Sequence, residues 1–410
     1  MKRGQLESHV LVLVTLGLVA FGLVMVYSAT SAPAALAQTD PMSYLKKQGS
    51  YALFGVILMM GASRFDYRRL RLLAPAFVLT ALTGCLAVLA IGARINGARR
   101  WIELGPATFQ PSELAKLAIA VWAAAYLSRR PAPRTLRELW RPIGLLLGLF
   151  CVLILAEPDL GTAIALVLVV LAVLVASGTP GATLAWAGGI TVSLGLLAIW
   201  FEPYRRARIF SFVDPWKDPQ GAGFQTVQAL ISLGSGGPFG VGLGHGVAKV
   251  NYLPEAHTDM ILGVIGEELG LVGVAAVLAA FVVFAWAGLR VALNCKDPFG
   301  KRLAVGVVAL VSGQAVINLA AVLGLAPLTG IPLPLISYGG SSLIVTLLAV
   351  GVLLNIAGGG ARARAAVPDR GRGNGGTRRA VARGRGGAPA ARRARDVRRV
   401  AGSHRGAARP

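Results

Sequence analysis

"VLVLVTLGLVAFGLVMVYSA", residues 10 to 29, decides the architecture, because it reads either as a cleaved leader or as a helix that stays in the bilayer. A short basic start, "MKRGQLESHV", precedes and overlaps it, and "AALAQ" at 34–38 resembles a signal-peptidase site. The apolar run, however, exceeds the roughly 7–15 residues of a signal core, and the candidate site lies well past its end. Crossing the hydrocarbon takes about 20 apolar residues in an α-helix. The stretch is therefore expected to be a retained first transmembrane helix.

Runs of the same kind recur along the 410 residues. The chain is 55% hydrophobic and 14% charged, with a mean hydropathy of +0.65, where a soluble domain carries roughly 25% charged residues. The expected fold is an all-α polytopic membrane protein of about ten transmembrane helices: 10–29, 48–63, 72–92, 110–127, 143–157, 161–177, 183–201, 259–288, 303–326 and 341–358. A large extracytoplasmic loop, 202–258, separates the seventh from the eighth. Loops 63–71, 128–142 and 289–302 hold thirteen Lys or Arg in 38 positions, against five in the 56 of 202–257. Cytoplasmic loops concentrate such residues, so both termini are expected in the cytoplasm. The chain divides into a cytoplasmic N-terminus (1–9), a transmembrane domain (10–358) and a basic cytoplasmic tail (359–410).

The formal charge of +23 invites a nucleic-acid reading, but fifteen Arg against two Asp lie in 361–410. That Gly/Ala/Arg-rich tail has little to bury and reads as disordered. It suits an anionic lipid surface better than a specific nucleic-acid site, so membrane lipids are the expected partner and no nucleic acid is. Three cysteines, Cys85, Cys151 and Cys295, give no disulfide framework.

"NYLPEAHTDM" (251–260) packs Glu255, His257 and Asp259 in front of the eighth apolar helix. One reading is a helix start capped by Thr258 or Asp259. The other makes Asp259 a general base, its pKa raised by partial desolvation beside an apolar wall. No second His or Cys stands at zinc spacing from His257. "INGARRWIELGPATFQPSELAK" (95–116) places Arg99, Arg100 and Trp101 in the loop before the fourth helix, and Glu113 and Lys116 three apart on one face of it. These form either an aromatic belt with snorkelling cations and one ion pair or an anion-binding surface for a phosphorylated lipid head.

Arg205, Arg206 and Arg208 are a solvated loop or a second phosphate clamp. A tight turn accounts for Glu157 and Asp159 in "AEPDLGTA". Glu267 and Glu268, in "IGEELG", are costly inside a span unless paired, with Lys116 or an Arg as the expected partner. "GFQTVQALISLG" puts Phe224, Val227, Leu230 and Ile231 on one helical face, as in a helix lying in the membrane interface. "GPFGVGLGHG" lacks the GK[ST] of a nucleotide phosphate loop, and its glycines fit tight turning.

Six motifs, "GARRWIELGPATFQPSELAK", "EPDLGTA", "DPWKDPQGAGFQTVQAL", "GLGHGVAKVNYLPEAHTD", "IGEELGLVG" and "GIPLPLISYGGSS", resemble in order and spacing the SEDS family of cell-wall proteins over residues 10–358. "YLPEAHTD" followed by "IGEELG" is more similar to the division and sporulation branch (FtsW, SpoVE) than to the elongation branch (RodA). The resemblance implies a peptidoglycan glycosyltransferase, a hexosyl-type transferase that polymerises lipid II into nascent glycan outside the membrane. It also implies a class B penicillin-binding protein (transpeptidase) and division proteins as partners, and a place at the division septum. It matches Asp259 to the family's essential aspartate, Arg100 and Trp101 to its functional arginine and tryptophan, and Glu113 and Lys116 to its helix pair. Ser337 and Tyr338 fall in "PLPLISYGGSS" as supporting residues, with Glu255, His257, Glu267 and Glu268. Many relatives carry Glu where this chain has Asn251, so that position receives no catalytic role.

In the mechanism expected, Asp259 deprotonates the acceptor hydroxyl and Arg99, Arg100, Lys116, Arg205, Arg206 and Arg208, or a divalent cation (Mg or Mn), receive the pyrophosphate. Two rival classes use the same residues. A lipid II flippase would gather its charges at the bilayer midplane, and Glu267 and Glu268 point that way. A non-catalytic scaffold for a transpeptidase would leave Asp259 and Arg100 dispensable.

Overall fold

The computed structural model describes residues 5–95, 98–105, 107–250 and 253–359. Asn251 and the basic tail expected at 359–410, apart from its first residue, lie outside the described residues. Among the described residues, twelve helices carry the chain: α1 (Gln5–Leu36), α2 (Ser43–Arg64), α3 (Leu70–Ile91), α4 (Pro111–Ser128), α5 (Leu136–Ala156), α6 (Leu160–Ser177), α7 (Gly181–Trp200), α8 (Pro203–Val213), α9 (Phe224–Ser235), α10 (Ile261–Asn294), α11 (Pro298–Val322) and α12 (Gly340–Ala357). Each of the ten expected spans overlaps one of these, but among the described residues eight helices are long and apolar enough to cross a membrane. α2 and α4 fall short of that measure. α2 carries Lys46, Lys47 and Arg64, and α4 carries Glu113 and Lys116.

α4 is the centre of the bundle, with 14 of its 18 residues buried. It packs on α3, α6 and α11, while α12 lies along α2 and α1 along α10. A helix sheathed by other helices needs no lipid-facing stripe, which is why it tolerates two charges. Local signals set the boundaries. Asp159 caps α6 by accepting from the Thr162 backbone N–H (3.0 Å), and Gly178, at φ +84°, ends it. Asp297 caps α11 through the Gly300 N–H (3.1 Å), with Pro298 at the first helical position.

The two ends of the bundle differ. At one, the Asn355 side chain accepts from the Tyr67 N–H (3.0 Å) and donates to the Ser63 carbonyl (2.8 Å), and Tyr67 stacks on Phe299. Arg302 donates to Ser177 (2.8 Å) at the same end. The Lys/Arg-rich loops 63–71 and 289–302 therefore share an end with the uncharged loop 178–182.

The opposite end departs from the all-α expectation. Residues 93–109 form a three-stranded antiparallel sheet in the order β1-β2-β3: β1 (Ala93–Ile95), β2 (Ala98–Leu104) and β3 (Ala107–Phe109). Ala93 pairs with Trp101, and Ile102 with Phe109.

α10 is broken at Gly270 (φ +64°, ψ −162°). The loop after α9 repairs the break. The Val241 and Gly242 N–H groups donate to the carbonyls of Glu267 and Glu268 (both 3.0 Å), while Leu271 and Val272 donate to those of Gly237 (2.9 Å) and Pro238 (3.1 Å). Irregular backbone at this depth is tolerated only when protein satisfies it. Gly240, at φ +80°, lets the loop turn onto the helix, where a side chain would strike the Glu268 carbonyl.

Candidate functional site

Asp259 lies just before α10 and is half-buried. Neither it nor Thr258 caps the helix, contrary to the helix-start reading: Met260 occupies the cap position and no side chain bonds there. The Thr258 hydroxyl sits instead between two carboxylates, 3.0 Å from Glu255 Oε2 and 3.3 Å from Asp259 Oδ1. Glu255 adopts φ +54°, a left-handed conformation that costs a non-glycine residue energy. The Asp259 backbone is held from below, since Asn318 of α11 donates to its carbonyl (2.7 Å) and to that of Ile331 (2.8 Å).

Arg208, on α8, donates to the Leu328 carbonyl (3.1 Å). A Cβ built on Gly330 would lie 3.9 Å from both Arg208 Nη1 and Asp259 Oδ2, so one cation and one carboxylate converge on the same glycine. Gly330 stands at φ +72°. Burial, and then the Glu255 charge, push the Asp259 carboxyl up to about 6, while Arg208 restrains the rise. A carboxylate poised there is ionised at neutral pH and still a competent proton acceptor.

The segment around Gly330 is fixed on both sides. A Cβ on Gly161 would collide with the Thr329 carbonyl and Ile331, so the first turn of α6 abuts it. Beyond it, Leu335 adopts φ +66°. Ser337 accepts from the Leu333 N–H (2.8 Å), and Gln48 of α2 donates to the Ser337 carbonyl (3.1 Å). Tyr338 donates its N–H to the His257 carbonyl (2.9 Å), and its ring joins those of Tyr44 and His257, with centroids 5.0–5.5 Å apart. Burial lowers the His257 pKa, which keeps the ring neutral, and raises the Tyr338 hydroxyl to about 12. His257, Ser337 and Tyr338 therefore hold two loops together.

The sheet brings up a second group. Arg99, Arg100 and Trp101 lie on β2 and not in an irregular loop. Alternation along the strand separates the two arginines: Arg99 donates to the Leu89 carbonyl (3.2 Å), whereas Arg100 clamps the turn after α5 through the carbonyls of Glu157 (2.9 Å) and Pro158. Gln110 reaches both Ser112 (3.0 Å) and Asp159 (3.3 Å), and Ser341 joins the Gln110 N–H to the Thr108 carbonyl (both 3.0 Å). Segments far apart in sequence thus share one hydrogen-bonded network at this end of the bundle.

Glu157 is more than a turn residue. It is fully buried, both its oxygens lack a hydrogen-bond partner, and burial followed by the Asp159 charge raises it to about 8. Arg205 secures the same corner by donating to the carbonyls of Ala198 (3.1 Å) and Leu155 (2.9 Å), and Arg206 lies over the Trp200 ring.

Glu113 and Lys116 form a buried pair at 2.8 Å, with Gln314 of α11 as a second acceptor for Lys116 (2.9 Å). Lys116 is therefore not the partner of Glu267 or Glu268. That partner is Lys249, which meets Glu268 at 2.6 Å and is joined by the Ser28 hydroxyl. Glu267 accepts from the N–H groups of Val247 (2.8 Å) and Ala248 (3.1 Å). α9 is a helix as expected, but it buries Thr226, Val227, Ala229 and Ser232 against α10 and leaves Ile231 exposed, so its packed face shares only Val227 fully with the apolar stripe.

Two signals in the sequence mark what was missed. Asn96-Gly97, the strongest short hairpin signal, stands between β1 and β2, and Lys249 is one of only two lysines in the loop 202–258.

Residues 8–359 match the family model of the FtsW/RodA/SpoVE cell cycle proteins. The chain is 43% identical over 354 residues to a probable peptidoglycan glycosyltransferase FtsW of Geobacter sulfurreducens, covering 85% of this chain and 94% of that one. It is 39% identical over 350 residues to the stage V sporulation protein E of Bacillus subtilis, covering 84% of this chain and 95% of that protein. Among solved structures it superposes on a chain of a peptidoglycan synthase complex that coordinates polymerization and crosslinking, with TM-score 0.72, 32% identity and coverage of 85% and 96%. It also superposes on the rod shape determining protein RodA of Thermus thermophilus, with TM-score 0.62, 32% identity and coverage of 85% and 95%. This multi-pass membrane chain belongs to the FtsW/RodA/SpoVE family.

Proposed function

We propose that this chain is a peptidoglycan glycosyltransferase that polymerises lipid II at the outer face of the cytoplasmic membrane, with Asp259 as its general base. The observation that carries the reading is the convergence of the Asp259 carboxylate and the Arg208 guanidinium on Gly330. Asp259 takes the proton from the acceptor's GlcNAc hydroxyl. That oxygen attacks the anomeric carbon of the lipid-linked donor, the new glycosidic bond forms with inversion, and the bond to undecaprenyl pyrophosphate breaks with its electron pair on the leaving group. Arg208 supplies positive charge where that negative charge develops. Arg100 and Arg205, which hold the corner at 155–158, and the Glu113–Lys116 pair keep the surrounding segments in place.

The Lys/Arg-rich loops at the opposite end support a reading with Asp259 outside and both termini in the cytoplasm, since cytoplasmic loops concentrate such residues. A class B penicillin-binding protein, with other division proteins at the septum, is the proposed partner. Glu255 would supply an oxygen ligand to Mg or Mn, which such ions accept when substrate phosphates and water complete the shell, leaving the proton to Asp259. The ion would neutralise the departing diphosphate. Against a flippase stands the pairing of Glu267 and Glu268: both carboxylates are consumed by Lys249, Ser28 and backbone N–H groups, which leaves them no passage to line.

The test is glycan polymerisation by the purified protein from labelled lipid II, resolved on a gel, with and without a class B partner. Asp259→Asn should lower the rate by roughly 10²–10⁴-fold, the usual worth of a general base. Wild-type ladders from that variant would refute the mechanism, and lipid turnover across vesicles without ladders would favour the flippase.

A further inference from the structure

A groove of about 490 Å³ opens on the side of the bundle, between α3, α4 and α5, in the half nearer the Arg-rich end. Its wall is apolar, built by Val78 and Leu82 from α3, Trp122 from α4, and Pro142 and Leu146 from α5. The volume falls within the roughly 300–1,000 Å³ of ligand sites. A concave apolar wall on a transmembrane bundle accepts a hydrocarbon chain.

What distinguishes this groove from a generic lipid-facing surface is the way it ends. Trp122 stacks on Tyr126 (centroids 5.3 Å apart, rings within 10°), and Arg130 lies over the Tyr126 ring at 4.8 Å while donating to its hydroxyl (2.8 Å). Trp122 and Tyr126 stand at i and i+4 on one face near the end of α4, about 6 Å apart along its axis, and Arg130 follows two residues beyond the helix. On the other wall Arg141, exposed, directly precedes Pro142. The connection between those walls, 129–141, carries Arg129, Arg134 and Arg137 as well, against Glu138 alone. Basic pockets between transmembrane helices are fitted to anionic lipid heads.

We propose that this groove binds an anionic glycerophospholipid, with one acyl chain against Trp122 and its phosphate between Arg130 and Arg141. The site stands apart from Asp259, at the other end of the bundle, and does not depend on glycosyl transfer.

Native mass spectrometry of the full-length protein in non-ionic detergent, given dioleoyl phosphatidylglycerol or dioleoyl phosphatidylcholine, tests it. Phosphatidylglycerol should be retained at least threefold more than phosphatidylcholine. Leu145→Trp and Leu149→Trp, at half-exposed positions of the groove wall, should each cut that retention threefold or more by filling the space. Arg130→Gln with Arg141→Gln, both at the surface, should abolish the preference for phosphatidylglycerol. Equal retention of the two lipids overturns the site. So does undiminished phosphatidylglycerol binding in the groove-filled proteins, which would place the lipid on the Arg-rich tail.

Discussion

Arg208 and Asp259 flank Gly330, each with a terminal atom 3.9 Å from the point where a side chain on that glycine would begin. Their spacing sets a pH dependence. A base must be ionised to act, so the rate should rise with pH through about 6 and level off above it. Arg208 favours the ionised form, and its replacement by Gln should move that limb upward by about one unit. The pH profile of kcat/KM measures this; an acid limb unmoved by Arg208→Gln would separate the two residues.

Asp259→Asn should also leave the protein at least as stable as wild type. Burial penalises the carboxylate, and amide replacement removes the penalty. Thermal unfolding in detergent gives the comparison. A large drop in Tm would make Asp259 a structural residue and would account for lost activity without chemistry.

Glu157 gives a second pH signature, in stability. Its pKa is raised in the folded state to about 8, above the ordinary value near 4.5. Between those values the unfolded chain releases a proton that the folded one keeps, so stability falls as pH rises through the window. Glu157→Gln keeps the shape of the neutral acid. It should raise Tm at pH 8 and change it little at pH 4. An equal Tm difference at both pH values would mean that this carboxyl does not titrate between them.

Lys249 and Glu268 are 2% and 0% exposed. Removing one partner of such a pair leaves a buried charge and costs about 3–5 kcal/mol. Lys249→Met and Glu268→Gln should each destabilise strongly, and the double variant less than their sum. Additive losses in that double-mutant cycle would count against a direct pair.

Gly270→Ala should be as damaging as the loss of a core side chain. Its backbone lies in a region that only glycine enters readily, and the new methyl would press on the Gly240 N–H and the Pro238 carbonyl at 2.4 and 2.6 Å. A loss of about 3 kcal/mol or more is expected. Unchanged unfolding would show that the helix runs straight at this point.

The helices were legible because hydropathy is summed over 20 residues, and each expected span overlaps a helix, with ends displaced by up to seven residues. α2 and α4 show where that signal weakens: α4, buried inside the bundle, needs no apolar surface, while α2 carries Lys46, Lys47 and Arg64 near its ends. The sheet at 93–109 escaped because its strands are three to seven residues long and rich in Arg, a pattern hydropathy reads as loop. Asp259 and Arg208 could be singled out by charge in an apolar chain, but their meeting at Gly330 depends on a segment more than 70 residues downstream of Asp259. Lys249 was overlooked as the partner of Glu268 for a related reason. It sits on a glycine-rich loop whose path is set by the break in α10, and no local periodicity records that.

The repaired break in α10 ties the stretch from Gly236 to Gly242 and the opening turns of the span into one mechanical piece, riveted by four main-chain bonds and the Lys249–Glu268 contact. Asp259 rides at its leading edge. Whatever tugs that loop therefore shifts the carboxylate with it, and the bonds from Leu271 and Val272 carry the same pull across the break into the rest of the helix.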